Sequence, residues 1–132
     1  WTKEMHQLIQ ELKLDARVHD CVDISNDSLC ALYTSAEALL FPSLQEGFGW
    51  PIVEAQACGC PVITTHLPPM NVISGDAGIH IDPTNPEEAA KIIVKGLRKR
   101  HQIVAKGLSQ SAEYSSDTMI SEYLRIYETL SQ

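Results

Sequence analysis

The 132-residue chain contains 44% hydrophobic and 20% charged residues, and these ordinary proportions predict one compact domain spanning residues 1–132. Its formal net charge of -7 leaves no basic surface to neutralise a phosphate backbone, so we expect no nucleic-acid partner. Because no apolar run approaches the roughly 20 residues of a membrane-spanning helix, and the polar start is unlike a signal peptide, we expect a soluble cytoplasmic protein without a transmembrane segment.

The first third of the chain predicts helix, strand, helix and strand. An amphipathic helix is expected over residues 2–13, with Thr2 as its cap. A short candidate strand lies near Val18–Val22, and Ser25–Ser28 offers capping side chains for a second helix. The continuous apolar run Ala38–Phe41 is typical of a buried parallel strand.

The middle of the chain continues the alternation. Pro51 is expected to open a helix that stops at Gly59, since proline suits the first helical position and glycine suits the end. Pro61–Thr65 is predicted as the next buried strand, followed by a loop over His66–Asp76 with one short turn. Gly78–Ile81 is predicted as the last strand.

The last third is predicted to be helical. Asn85 as cap and Pro86 at the first helical position start one helix, and the basic run Arg98–Arg100 complements the dipole at its end. Further helices are expected over residues 100–113 and from Ser116 onward. Strands alternating with helices predict an α/β fold, a three-layer Rossmann-like parallel sheet with helices on both faces.

The four cysteines lack the paired spacing of a zinc site and are interpreted as reduced, buried small residues. A metal or redox pair is the less favoured alternative, and no metal is predicted. These cysteines are Cys21, Cys30, Cys58 and Cys60.

The segment 43–51 joins a predicted strand to a predicted helix, and ligands of open parallel sheets bind beyond the carboxyl ends of the strands. Gly47 and Gly49 permit close backbone approach, while the helix that follows directs free amides at the loop. Glu46 precedes this helix and Glu54 is predicted in its first turn. Since carboxylates accept hydrogen bonds from paired hydroxyls, these features favour a nucleotide-sugar site.

The alternative interpretation of this corner is structural. Glu54 alone would stabilise a helix N-terminus, and the glycines alone would permit the turn. His66 is interpreted as a surface residue, and Trp50 either stacks on a base or sugar or packs against the core or a partner. The apolar stripe of the final helix, around Tyr123 and Tyr127, is expected to pack against the sheet.

Residues 41–65, FPSLQEGFGWPIVEAQACGCPVITT, resemble the E-x(7)-E motif region of the large retaining glycosyltransferase family that includes sucrose synthases and bacterial mannosyltransferases. The resemblance extends through LCALYTSAEALLFPS before it, and through SGDAGIHIDPTNPEEAA and YLRIYETL after it. It implies the GT-B fold, in which two Rossmann-like domains face a cleft and the carboxyl-terminal domain holds the nucleotide-sugar donor. This chain is similar to the later part of that domain.

The resemblance assigns roles by motif position. Glu46 would be the catalytic carboxylate that contacts the transferred sugar, and Glu54 would hold the ribose hydroxyls. The backbone amides of Gly47, Phe48 and Gly49 would face sugar hydroxyls or the diphosphate. The family's two-domain members generally need no metal, so we expect no metal and no cofactor besides the nucleoside diphosphate sugar substrate.

The sequence departs from the family pattern in three ways. It lacks the strand–helix unit whose Arg and Lys stabilise the departing diphosphate, and it lacks the amino-terminal domain that binds the acceptor. Asn71 stands where family members usually carry Glu. We therefore expect this chain to be inactive alone, and its start at Trp1 predicts that it was cut from a longer protein or altered there.

A second hypothesis is a stand-alone, non-catalytic binding or protein-interaction module with a glycosyltransferase-like fold. Such a module would associate through an exposed sheet edge or the last helix. A homo-oligomer formed through the exposed edge is expected of the truncated enzyme as well.

Overall fold

The structure is a computed structural model that describes residues 1–131. It is an α/β fold with a parallel sheet and flanking helices, as predicted. A single 3₁₀ turn at Gly75–Ala77 separates the fourth helix from the last strand. In chain order the elements are α1 (Lys3–Glu11), α2 (Asn26–Ser35), β1 (Leu39–Phe41), α3 (Trp50–Ala57), β2 (Val62–Thr65), α4 (Met70–Ser74), β3 (Gly78–Ile81), α5 (Pro86–Leu97), α6 (Arg100–Ala112) and α7 (Ser116–Leu130).

The three strands pair in chain order, β1–β2–β3, and both pairings are parallel. Leu40 lies opposite Ile63, which in turn lies opposite Ile79. Because parallel strands point the same way, their carboxyl ends meet at one edge of the sheet. The loop after β1 and the residues after β2 and β3 therefore share that edge.

Apolar side chains form a separate core on each face of the sheet. Val62 of β2 packs with Ile52 of α3 and Met70 of α4 on one face. Ile63 and its neighbours on β3 pack against Ala89 of α5 on the other. Alternate residues of β2 point to opposite faces, so one buried strand supplies both cores and the predicted three layers are confirmed.

Four helices begin with a hydroxyl or amide side chain that accepts a hydrogen bond from the backbone amide three residues later. The caps are Thr2, Ser25, Asn85 and Ser115. Each bond satisfies one of the amides that the first helical turn leaves without a partner. The capping predicted at Thr2, Ser25 and Asn85 is thereby confirmed.

The strand predicted near Val18–Val22 is wrong. Within residues 1–131 this segment forms no strand, and the Val18 amide instead donates to the Leu14 carbonyl at 3.1 Å, which closes a turn after α1. A strand is stable only beside another strand, and β1 pairs with β2 alone. The local apolar pattern was therefore insufficient to predict a strand in this segment.

The basic run Arg98–Arg100 was predicted to lie at the end of α5. Arg100 is instead the first residue of α6. Its guanidinium donates to the Glu37 carbonyl and, at 3.2 Å, to the Ala36 carbonyl. This side chain ties α6 to the link between α2 and β1. The positive charge of Arg100, which was predicted to complement a helix dipole, therefore joins two segments that are distant in sequence.

The apolar stripe of α7 does not pack against the sheet, contrary to the prediction. Tyr127 is 62% exposed, and Tyr123, Leu124 and Leu130 are also exposed. α1 likewise leaves Met5, Leu8 and Leu12 exposed. The described chain supplies no layer that covers these faces.

In residues 1–131, no helix combines the length and apolarity that crossing a membrane requires.

Candidate functional site

The candidate site lies where β1 and β2 end. Thr64 and Thr65 of β2 donate from their hydroxyls to the carbonyls of Phe41 and Ser43, at 2.8 and 2.9 Å. Phe41 and Thr64 form the last pair of the β1–β2 ladder, and the bond from Thr65 to Ser43 extends the contact beyond it. The two bonds fix the point at which the loop leaves the sheet.

Glu46 is held at this corner by Ser43. The Ser43 hydroxyl donates to Glu46 Oε1 at 2.8 Å, and Glu46 is exposed on the loop. One carboxylate oxygen is thus oriented by the protein, while the other is free to accept a hydrogen bond from a ligand. Ser43 was not identified as a site residue from the sequence, although it lies three residues before Glu46.

The two loop glycines serve different purposes. Gly49 is buried and has a φ of +105°, a conformation that side chains disfavour, and a Cβ there would lie 3.4 Å from Ile52 Cδ1. At Gly47 a Cβ would meet nothing within 4 Å. Gly49 therefore sets the backbone turn into α3, whereas Gly47 leaves open space beside the chain.

The aromatic residues of the loop anchor it from one side. The Phe48 ring packs against the core that contains Ile52 and Met70. It lies edge-on to Tyr114 with ring centroids 5.7 Å apart, and its centroid is 4.7 Å from that of Trp50. Trp50 is 57% exposed, and its ring contacts Phe48, a neighbour on the loop. A cavity of about 500 Å³ opens between these rings and the link from α6 to α7.

Successive backbone amides of the loop have no acceptor within the described chain. These amides belong to Gly47, Phe48, Gly49 and Trp50. α3 has no side-chain cap, and its first internal partner is the Ile52 amide, which donates to the Gly49 carbonyl at 2.9 Å. Unpaired amides at a helix N-terminus attract anions and other acceptors.

Glu54 occupies different surroundings from Glu46. Counting from Trp50 it is the fifth residue of α3, so the prediction that places it in the first turn is wrong; the helix starts earlier than Pro51. Its exposed carboxylate lines a cavity of about 330 Å³ together with α2 residues that include Asn26 and Tyr33. Glu46 thus lies on the loop before α3, whereas Glu54 lies within α3 beside α2.

Tyr33 lines the same cavity as Glu54 and was not identified from the sequence. Its partial burial, together with the negative charge of Glu54, raises the pKa of the Tyr33 hydroxyl above 10.0. It therefore stays a neutral hydroxyl beside an acceptor carboxylate. α2 and α3 are distant in sequence, so no local motif joins these two residues.

Asn71 places an unsatisfied acceptor on the helix that follows β2. Its side-chain oxygen Oδ1 is buried and has no hydrogen-bond partner among the described residues. A buried acceptor without a donor costs about 1–3 kcal/mol, which a ligand hydroxyl or amine would relieve. His66, between β2 and Asn71, is exposed as predicted, with Nδ1 3.4 Å from the Ile81 carbonyl.

The cysteines are free, as predicted, but only Cys60 is fully buried. Cys58 is partly buried, while Cys21 and Cys30 are exposed. The prediction of buried cysteines is therefore wrong for these two, because Cys21 lies in the segment before α2 and because α2 has no buried residue, so that Cys30 is exposed even beside Cys58. In the part of the chain that the structure describes, no three His, Cys, Asp or Glu side chains are grouped to hold a metal.

Known proteins with similar sequences point to one family. The model for glycosyl transferases group 1 matches residues 1–113. The chain is 31% identical over 110 residues to the O-antigen chain mannosyltransferase B of Escherichia coli, covering 81% of this chain and 29% of that protein. It is 30% identical over 129 residues to the MMP alpha-(1->4)-mannosyltransferase of Mycolicibacterium hassiacum, covering 92% of this chain and 31% of that protein.

A third similar protein is named a glycosyltransferase and not a mannosyltransferase. The chain is 30% identical over 141 aligned positions to the D-inositol 3-phosphate glycosyltransferase of Streptomyces bingchenggensis, covering 97% of this chain and 31% of that protein. The chain thus spans less than a third of each of these three proteins.

Proposed function

Because this chain belongs to the group 1 glycosyl transferases, we propose that it is the part of a retaining, GT-B-fold enzyme that binds a nucleoside diphosphate sugar. In the complete enzyme it would present this donor for hexosyl transfer. The observation that supports the proposal most is the loop of free amides between β1 and α3, flanked by Glu46 and Glu54.

The loop is the surface that we assign to the diphosphate. The amides of Gly47, Phe48 and Gly49 lack acceptors, and the positive end of α3 adds to their attraction for negative charge. Gly49 provides the backbone conformation that the turn needs, and Phe48 anchors the loop to the core. An oriented amide cluster of this kind stabilises negative charge without reorganising when the ligand binds.

The acids supply the acceptors that sugar hydroxyls require. Ser43 orients Glu46, which we assign to the transferred sugar and to the catalytic role. Glu54, in its cavity with the Tyr33 hydroxyl, is assigned to the ribose hydroxyls. Asn71 Oδ1 is a further unsatisfied acceptor for a donor hydroxyl, so its replacement of the family's usual Glu preserves an acceptor there and removes a charge.

Transfer itself would need parts beyond this chain. Stabilising a departing diphosphate calls for cationic side chains, and the loop that would bind it carries none. We propose that an amino-terminal acceptor domain and a further strand–helix unit supply the acceptor site and these cations. The chain alone is expected to bind donor weakly and to catalyse no transfer. Retention is testable on the complete enzyme by following the anomeric configuration of the first product by NMR.

Calorimetry with nucleoside diphosphates and their sugars tests donor binding by the chain. We expect saturable binding that Glu54→Ala weakens by about 10-fold, the equivalent of about 1.4 kcal/mol for lost hydrogen bonds to ribose. Glu87→Ala, an exposed acid on α5, is the matched control and should leave affinity unchanged. Equal affinities for all three proteins would refute the assignment of Glu54.

The exposed apolar faces of α1 and α7 favour a second candidate function, a non-catalytic protein-interaction module. Under that hypothesis the chain would associate through these faces and bind no nucleotide. Light scattering across concentrations, combined with the calorimetry, separates the two functions. Association without nucleotide binding supports the module, and nucleotide binding sensitive to Glu54 supports the enzyme.

A further inference from the structure

We propose that Cys30 and Cys58 are a modification site at which a hydroperoxide forms a reversible disulfide between α2 and α3. The two sulfur atoms lie 3.5 Å apart, although the residues are 28 positions apart in sequence. Cys30 lies on α2 and Cys58 is the C-terminal cap of α3. A disulfide has a sulfur–sulfur bond of about 2.05 Å, so the sulfurs need to approach by only about 1.5 Å.

The accessibility of the two thiols assigns the order of reaction. Cys30 is exposed, so a small hydroperoxide reaches its thiolate first, whereas Cys58 is partly buried beside it. Burial, followed by the hydrogen bond with Cys30, raises the pKa of the Cys58 thiol. Cys58 is consequently the poorer first nucleophile and is placed to act second.

The reaction balances with hydrogen peroxide as the oxidant. The Cys30 thiolate attacks one peroxide oxygen, the O–O bond breaks, and protonation of the departing hydroxide gives water and a sulfenic acid on Cys30. The Cys58 sulfur, losing its proton, then attacks the Cys30 sulfur and releases a second water as the disulfide forms. Two thiols are oxidised and one peroxide is reduced to two waters.

The remaining cysteines have no comparable partner. Cys60 is 2% exposed, and its thiol donates to the Pro61 carbonyl at 3.6 Å. Cys21 is exposed in the segment before α2 and makes no sulfur contact among the described residues. The geometry therefore favours Cys30 and Cys58 over the other possible disulfide pairs.

The disulfide would enclose both acids of the candidate site in one covalent ring. The ring runs from Cys30 to Cys58 and contains β1, the loop with Glu46, and all of α3 with Glu54. Closing a ring of this length restricts the unfolded chain and stabilises the folded one. This consequence concerns the fold itself and holds whether or not the loop binds a nucleotide sugar.

The experiment treats the reduced chain with equimolar hydrogen peroxide and combines peptide mass mapping with thermal unfolding. We expect a Cys30–Cys58 linked peptide, a mass loss of two hydrogen atoms, and a rise in Tm of roughly 10 °C that a reductant reverses. Cys30→Ser and Cys58→Ser should abolish both the link and the rise. The matched control Cys21→Ser should keep both.

Three results would overturn the proposal. They are a link to Cys21 or Cys60, irreversible oxidation of Cys30 to sulfinic acid without a link, and a link that leaves Tm unchanged. If a serine variant fails to fold, thiol labelling of the oxidised wild-type chain decides the matter. Protection of Cys30 and Cys58 together supports the pair, and labelling of either one contradicts it.

Discussion

Helices α3 and α7 both carry apolar residues, but those on the inner face of α3 are buried and those of α7 are exposed to solvent. In α3, Ile52 is 0% exposed and packs with β2 and α4, and the helix holds the candidate site against the sheet. In α7, Ile120 is 51% exposed and the whole apolar face lacks a cover from the described chain. Apolar periodicity therefore indicates that a helix has an apolar face, but it does not indicate whether another layer of the chain covers that face.

Truncating one isoleucine in each helix gives the largest expected difference in stability. Ile52→Ala should lower the free energy of unfolding by about 2–5 kcal/mol, because it removes a fully buried side chain and leaves a cavity. Ile120→Ala in α7 should change it by less than about 0.5 kcal/mol. Urea denaturation measures both, and equal losses would mean that α7 is packed after all.

A change at the turn into α3 should have the next largest effect. Gly49→Ala adds a side chain at a φ of +105° and should destabilise the fold by about 1–2 kcal/mol. Gly47→Ala, in open space, is the matched control and should have little effect on stability. If the two alanine variants unfold at the same urea concentration, the backbone at Gly49 is less constrained than the structure indicates.

Self-association could use either the exposed edge of the sheet or the last helix, and one substitution in each distinguishes them. β1 is an edge strand in the described chain, and Leu40 on it is exposed. If copies pair through this edge, Leu40→Lys should weaken dimerisation about 10-fold, because a charge on an edge strand opposes strand pairing. Tyr127→Ser should weaken it instead if α7 forms the contact. Light scattering distinguishes these results, and a monomer at all concentrations would reject both interfaces.

The smallest expected effect is a pH dependence from His80. Burial, and secondarily the charge of His66, lowers the pKa of His80 below 6.5, although Asp76 opposes the shift. Because the folded pKa is depressed, the stabilising contribution is present above pH 6.5 and is lost as pH falls toward the folded pKa. His80→Gln should flatten the stability loss measured between about pH 7.5 and 5.

An exposed histidine serves as the control for this pH dependence. His101, on α6, is exposed, and His101→Gln should keep the wild-type slope. An unchanged slope in His80→Gln would show that other groups cause the loss of stability in acid.

Local chemistry made much of the fold predictable. Asn85 and Pro86 start α5 because capping and a preset φ act within one turn, and Gly59 ends the helix of the site with a φ of +71°. The parallel order followed from strands alternating with helices. Val18–Val22 fails as a prediction because a strand depends on a neighbour that local sequence does not reveal.

The site was predictable only in part, for the same reason. The position of Glu46 and Gly49 on the loop follows from a contiguous motif. Tyr33 beside Glu54, and Cys30 beside Cys58, are brought together by the packing of α2 on α3 and have no contiguous signal. The roles of Glu46 and Glu54 toward a donor stay predictions until a ligand is bound.

NMR of the backbone amides during titration with a nucleoside diphosphate sugar tests the donor-site proposal most directly. The account predicts that the largest shifts fall on Gly47, Phe48, Gly49 and Trp50, the loop amides without acceptors. Shifts confined to other surfaces, or none at saturating ligand, would contradict the assignment of this loop as the donor site.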